Sequence, residues 1–326
     1  MGVNLKPIIV KQDIELEDLR DRSLAVDSSN ILYQFLSTIR TSKGMPLTDE
    51  SGHITSHLVG LLYRSTKLIY EYNIPLIFVF DGGAPTLKAE EMKKRARRRE
   101  EAKEEYERAL ERGDFEAARS KAMQAAGFSS TIFQDARLLL DYLGIPYVQA
   151  KGESEAQGAY MASKGDVWGV NSRDYDCLLF GAPRLVRYLT ISASKRPDLI
   201  IMEDFLEHNG ITRKQLVDMA ILMGTDYNKG IYRVGPKTSL KWIKRHGRIE
   251  NLPDDKKERV TPHYEEIRRI FLEPEIVEDY SVEFKGLREE KIYSFLCDEK
   301  GFPRDRVKTA VDRMKEFYER KRLQFS

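Results

Sequence analysis

The sequence predicts an α/β fold in which helices flank a mainly parallel central sheet. Three observations carry that expectation. Five short apolar runs read as buried strands: SLAV (23–26), IPLIFVF (74–80), IPYVQ (145–149), VWGVN (167–171) and LVRYLTI (185–191). Helical patterns separate most of them, and strands alternating with helices imply parallel pairing. No internal repeat or low-complexity linker interrupts the 326 residues, and a single domain over 1–326 is expected.

The elements follow in order. SLAV runs into Asp27 and the segment SSN, where a helix begins. Ile54, Leu58, Leu61, Leu62, Ser65 and Ile69 form one apolar helical face. IPLIFVF ends at Asp81, and residues 82–130 then interrupt the alternation. Within them a helix running to about Leu110, a turn at Arg112–Asp114 and a return through Ala126 describe an inserted helical hairpin. Ile132, Phe133, Ala136, Leu139, Leu140 and Leu143 form the next helical face. IPYVQ leads to GESEAQ, in which Ser154 and Gln157 have the spacing of a capping box. VWGVN leads to Asp174 and Asp176; LVDMAILMG leads to Asp226 and the loop TDYNKG. From about 262 to 326 the chain reads as helices broken at Pro274, Gly286 and Gly301.

Composition narrows the class. Hydrophobic residues make up 41% and charged residues 33%, yet 54 bases against 52 acids leave a net charge of only +2. What matters is therefore where each sign gathers. No apolar run approaches the roughly 20 residues that span a bilayer, so no membrane association is expected. The N-terminus lacks a signal-peptide core, and Cys177 and Cys297 form no disulfide framework.

Ligands of an open parallel sheet bind beyond the carboxyl ends of its strands. Four strands here deliver Asp27, Asp81, Glu153, Glu155, Asp174 and Asp176 to one edge, and Asp226 is a seventh candidate. Asp174 and Asp176 share a direction if their segment stays extended. Glu153 and Glu155 converge if Glu153 lies in the loop and Glu155 in the first helical turn, with the boundary at Ser154. Clustered carboxylates repel unless neutralised. No lysine follows the strands as a shared counter-ion; Lys151 and Arg173 are local candidates only. An all-oxygen donor set favours Mg²⁺ or Mn²⁺, and seven acids are enough for two ions.

Two basic features point to a phosphodiester. Residues 88–99, KAEEMKKRARRR, begin seven residues after Asp81 and place Lys88, Met92, Arg95 and Arg99 along one helical stripe. Residues 227–247 combine Gly230, Gly235 and Pro236 with Lys237, Lys241, Lys244 and Arg245, a loop and helix start suited to phosphate. Nothing resembles a base-reading element, so the shape of the nucleic acid is the expected source of specificity.

Several stretches together resemble the flap endonucleases of the structure-specific 5′ nuclease superfamily, in their compact archaeal form. They are MGV (1–3), LAVDSSNILYQFL (24–36), FVFDGGAP (78–85), GESEAQGAYMA (152–162), SRDYDCLLFGAPRLVR (172–187), MGTDYNKGIYRVGPKTS (223–239) and FLCDEKGFPRDRV (295–307). The resemblance implies a PIN-like 5′ nuclease fold and divalent-metal hydrolysis of DNA 5′ flaps, with 5′–3′ exonuclease activity, in Okazaki-fragment processing and repair. It assigns the seven acids to a two-metal site and Lys88 and Arg95 to the scissile phosphate. It makes Gly2, Tyr33, Arg40, Arg99, Gly235 and Lys237 substrate contacts. It identifies 82–130 as a helical arch and 216–250 as a helix–two-turn–helix region, with a monovalent cation, K⁺, at 227–240. Thr55, Ser56 and His57 fall near the one-nucleotide 3′ flap. Branched DNA is the implied partner of a monomer, cytoplasmic at the nucleoid if archaeal and nuclear if eukaryotic.

Departures from the family are specific. Arg233 stands where the family usually has glycine, and Lys151 where it often has proline. Relatives continue into a motif for the sliding clamp PCNA, and the present sequence stops at RKRLQFS without it. Alternatives are a 5′ exonuclease or bubble or junction nuclease of the same superfamily, and a non-catalytic DNA-junction-binding protein. An aspartyl phosphatase needs its acid doublet after the first strand, where this chain has DSSN.

Overall fold

The structure is a computed structural model that describes residues 2–42, 44–83, 86–114, 117, 121, 130–189 and 196–324. Nine strands are present among these residues: β1 (Gln12–Asp13), β2 (Leu24–Asp27), β3 (Leu76–Phe80), β4 (Tyr147–Gln149), β5 (Gly169–Asn171), β6 (Arg184–Arg187), β7 (Asp198–Ile201), β8 (Gly224–Thr225) and β9 (Asn228–Lys229). The first seven form one sheet in the order β1-β7-β6-β5-β2-β3-β4, and β8 and β9 form a separate hairpin.

Strands β6, β5, β2, β3 and β4 pair in parallel, as the alternation of strands and helices predicts. The antiparallel edge made by β7 and β1 is an addition to that expectation. Helices cover both faces, so the central strand β3, LIFVF, is apolar and buried throughout. On β3, Ile77 and Val79 join the core on one face, while Leu76, Phe78 and Phe80 join the core on the other.

From β2 the chain moves outward through β3 to β4, then returns to place β5 on the other side of β2. A reversal of this kind opens a crevice at the carboxyl ends of the two strands where the order turns. The four acid-bearing strands β5, β2, β3 and β4 are consecutive neighbours at that crevice.

The inserted segment leaves β3 through a short turn at Thr86–Lys88 and continues as a helix over Ala89–Glu111, close to the expected end at Leu110. The return of the expected hairpin, through Ala126, lies outside the described residues. The face built on Ile54 begins later than expected, because Ile54 bridges Thr48 and the helix starts at Ser56. Between the Tyr264–Leu272 and Glu289–Tyr293 helices the chain has no regular structure. There the Val277 backbone pairs twice with the Gln157 side chain: Gln157 Nε2 donates to the carbonyl at 2.9 Å, and the Val277 N–H donates to Gln157 Oε1 at 2.7 Å. No described helix is long and apolar enough to cross a membrane.

Candidate metal and phosphodiester site

All seven predicted acids line one cavity of about 1390 Å³ at the carboxyl edge of the sheet. Each arrives by a local route. Asp27 ends β2 and caps the Ser28–Thr38 helix, accepting the Asn30 N–H at 3.0 Å. It also accepts Ser172 Oγ at 2.9 Å, from the loop after β5, and Ser154 Oγ at 3.2 Å, from the start of the helix that follows β4. Asp81 follows β3 and accepts the Ser154 N–H at 2.8 Å and the Ser29 hydroxyl.

Two glycines fix the Asp81 turn against the loop that carries Glu153. The Gly82 N–H donates to Gly152 O at 2.7 Å and the Gly83 N–H to Lys151 O at 2.8 Å. A Cβ on Gly82 would lie 2.2 Å from the Ala150 carbonyl oxygen, so no larger residue fits that approach. Lys151 thus serves through its backbone, with its side chain in solvent.

The Ser154–Lys164 helix corrects the capping-box expectation. Its N-cap is Glu153, without a side-chain cap bond, and Ser154 is its first helical residue. The Ser154 hydroxyl turns to Asp27 instead, and Gln157 is spent on Val277. The carboxylate of Asp81 meets the free Ser154 N–H, so an acid from another strand takes the role of a cap. Glu153 and Glu155 still converge, one from the loop edge and one from the first turn.

Asp174 and Asp176 converge by a similar route rather than by an extended segment. Asp174 lies in the loop, and Asp176 opens the short Asp176–Leu179 helix. Asn30 Nδ2 donates to Asp174 Oδ2 at 3.4 Å, and the Val3 N–H donates to Asp176 Oδ1 at 2.7 Å. Gly2 lets the N-terminal backbone pass here, because a Cβ would fall 2.7 Å from Asp176 Oδ1. Asp226 stands with Tyr227 in the turn between β8 and β9.

The electrostatics are those of a crowded anion set. Burial and then the charge of Asp81 push Asp27 up to about 7. Burial pushes Asp176 up to about 7 as well, with Asp174 and Asp226 adding to it. Glu155 is held well above the usual carboxylate range by burial and by Asp27, Glu153 and Asp81.

Lys88 corrects the expectation that no lysine acts as a shared counter-ion. Its ammonium pairs with Glu153 and lies 3.7 Å from Asp226. Burial works against its charge, but Glu153, Glu155 and Asp226 outweigh burial and raise its pKa. Sequence distance hid this contact: Lys88 reaches the acids from the base of the inserted segment, not from a loop after its own strand.

The carboxylates face a common space without closing on one point. Among the described residues, no three of His, Cys, Asp and Glu form a ready coordination shell. The donor set is nonetheless one a hard divalent cation fits: carboxylate oxygens, mutually repelling and partly desolvated.

Tyr33 and Gly2 also line the cavity, as do Arg98 and Glu101 of the inserted helix. Arg95 and Arg99 lie on that helix, and their side chains are outside the described residues. Arg40 is not at the cavity; it holds its own loop, donating to Ser37 O at 3.1 Å and Gly44 O at 2.8 Å. Gly235 and Lys237 are elsewhere too. Gly235 is the N-cap of the Pro236–His246 helix, and Lys237, Lys241, Trp242 and Arg245 line a second cavity of about 470 Å³.

Thr55, Ser56 and His57 are buried side chains rather than surface contacts. The Ser56 hydroxyl donates to Ile39 O at 2.7 Å, and burial together with Lys300 pushes His57 down to about 3. Sequence reasoning missed Ser29, Asn30, Ser154 and Ser172 as holders of the acids. Their signal was faint, since a serine beside a helix start reads first as a cap.

Comparison with known proteins accords with this geometry. Residues 1–102 match the XPG N-terminal domain and residues 144–226 the XPG I-region. Flap endonuclease 1 of Methanothermobacter thermautotrophicus is 47% identical over 312 residues, 95% of each chain. Flap endonuclease 1 of Archaeoglobus fulgidus is 44% identical over 97% of this chain and 96% of its own. The solved flap endonuclease-1 from Methanococcus jannaschii superposes with a TM-score of 0.81 at 39% identity, covering 98% of this chain and all of that one. The chain therefore belongs to the flap endonuclease 1 family: it is a structure-specific 5′ flap nuclease of DNA replication and repair that binds branched DNA and uses a divalent cation.

Proposed function

We propose that the chain cuts the backbone near the base of a 5′ flap with two Mg²⁺ ions held among Asp27, Asp81, Glu153, Glu155, Asp174, Asp176 and Asp226, Mn²⁺ being able to substitute. The observation that carries this reading is the gathering of all seven acids around one cavity. Seven exceed what two ions take directly, so Glu153 and Asp226, the two beside Lys88, act as outer holders. Bound divalent cations supply Lewis acidity and neutralise phosphate charge.

The chain's own groups bind and orient the DNA. Lys88 moves its ammonium from Glu153 to the scissile phosphate, and Arg95 adds a second positive charge from the same segment. One such donor supplies about 3 kcal/mol of transition-state stabilisation. Tyr33, 42% exposed at the cavity wall, offers its ring to a base beside the cut. Gly2 leaves the N-terminus against Asp176, while Arg40 and Arg99 take backbone phosphates.

Residues 82–130 act as the arch over the 5′ strand. Residues 216–250, with Gly235, Lys237 and a K⁺ ion at 227–240, grip the duplex, and the Tyr264–Leu272 helix within 262–326 packs against Arg213–Met223 beneath them. One copy carries the whole acid set, so a monomer suffices. The site trims recessed 5′ ends as an exonuclease by the same chemistry.

The test is cleavage of double-flap, single-flap, nicked and bubble DNA, with and without Mg²⁺. Flap substrates are expected to be cut fastest and only with metal. Faster cutting of the bubble would favour a bubble nuclease, and cutting in chelator would remove the metal reading.

A further inference from the structure

A buried hydroxyl beside the acid cluster lies within reach of Glu153 without a hydrogen bond of ordinary geometry. Tyr227 neighbours Asp226 in the β8–β9 turn and is only 7% exposed. Its ring packs edge-on against Phe271, centroids 5.4 Å apart. Its N–H donates to Thr225 Oγ1 at 3.1 Å, so ring and backbone are both fixed. Yet the phenolic oxygen makes no hydrogen bond of ordinary geometry. Buried polar groups are nearly always paired, and an exception inside a functional site calls for a cause.

The surroundings supply one. Of the carboxylates that act on Tyr227, Glu153 acts most strongly, ahead of Asp176 and Glu155. A phenol is a neutral O–H donor, and its fixed ring keeps the hydroxyl beside Glu153. Glu153 is also the carboxylate that Lys88 occupies. It therefore has two candidate donors of different kinds. Lys88 is a charged group on a flexible stem; Tyr227 is a neutral group locked by packing. A neutral donor can hold a carboxylate without cancelling the negative charge that a cation needs.

We propose that Tyr227 is a positioning residue: its hydroxyl donates to Glu153 when Lys88 leaves that carboxylate for a phosphate, keeping Glu153 turned into the cavity. This deepens the reading of the site as a metal-dependent flap nuclease and rests on it. Glu153 is thereby never without a donor: Lys88 holds it before DNA engages, and Tyr227 holds it afterwards.

Tyr227→Phe removes one oxygen and keeps the ring. Four quantities are measured on the full chain: melting temperature without metal, Mn²⁺ affinity by calorimetry, flap affinity in Ca²⁺, and the single-turnover rate on a 5′ flap at saturating DNA. We expect an unchanged or slightly higher melting temperature, Mn²⁺ affinity weakened about tenfold and a rate lowered about tenfold. Flap affinity measured in Ca²⁺ should stay at the wild-type value. Added to Glu153→Gln, the substitution should change neither Mn²⁺ affinity nor rate further, since both remove the same contact. Wild-type Mn²⁺ affinity in Tyr227→Phe would overturn the proposal, whether or not its melting temperature falls. So would full additivity with Glu153→Gln. If the wild type binds Mn²⁺ but leaves flaps intact, the flap reading fails by itself, and the Mn²⁺ and double-variant measurements still decide the role of Tyr227.

Discussion

The ammonium of Lys88 is paired with the carboxylate of Glu153, and both side chains are largely shielded from solvent. A basic residue from the inserted segment thus supplies the positive charge inside the acid cluster. Removing one member of a shielded pair leaves the other uncompensated and costs about 3 kcal/mol or more. Lys88→Met should lower the metal-free melting temperature, and millimolar Mg²⁺ should recover most of the loss. Turnover should fall at least a hundredfold even with Mg²⁺, because the phosphate contact goes too. Calorimetric melting with and without Mg²⁺, beside a cleavage assay, checks both parts. An unchanged metal-free melting temperature would show that the pair contributes nothing.

Asp27 and Asp176 set a pH dependence. Their folded-state pKa of about 7 lies above the ordinary 3.8, so the folded state binds these protons more tightly than the unfolded chain. Their contribution to stability is fully present below about pH 4 and is lost as pH rises through 7. The metal-free protein should therefore melt lower at pH 8 than at pH 5, and Mg²⁺ should shrink that difference. The double variant Asp27→Asn/Asp176→Asn should flatten the metal-free profile. A profile equally steep in wild type and double variant would assign the effect to other groups.

Asp174 is less buried than Asp176, and Asn30 Nδ2 donates to its carboxylate. Exchanging its oxygen for an amide should disturb the fold little and the metal site much. Asp174→Asn should reduce cleavage by at least three orders of magnitude, while flap affinity in Ca²⁺ stays within about threefold. Gel-shift and single-turnover measurements separate the two. Near-normal turnover would exclude Asp174 from metal binding.

Arg233 takes a left-handed conformation, φ 63°, which glycine adopts without strain. Its guanidinium stacks on the exposed ring of Tyr232, 5.2 Å from the centroid. Holding arginine there costs about 1 kcal/mol. Arg233→Gly should raise stability by up to that amount and weaken duplex binding. The slope of log affinity against log salt should become shallower by about one, as expected for one lost phosphate contact. Binding isotherms at several salt concentrations decide it, and an unchanged slope would leave Arg233 with no phosphate.

Much of the site was legible because of what parallel strands require. Strands covered on both faces are apolar along their length, so β2 and β3 stood out, and the acids at their ends followed. The order of the sheet was not legible, since nothing local in β5 says that it pairs with β2. Strand β7 escaped notice because its apolar run is short and the strand opens on Asp198; Arg187 neutralises that charge with two bonds of 2.8 Å, from a strand that sequence does not mark as its neighbour. Ser154 was legible as a helix start but not as a donor to Asp27, and Lys88 as a base but not as the partner of Glu153. Each of those contacts joins distant parts of the chain, and local patterns carry no information about them.

The clasp between Gln157 and Val277 spans 120 positions of the polypeptide. It ties the helix that carries Glu155 to the irregular segment between the Tyr264–Leu272 and Glu289–Tyr293 helices, so a shift of that segment is transmitted through two hydrogen bonds to a wall of the acid-lined cavity.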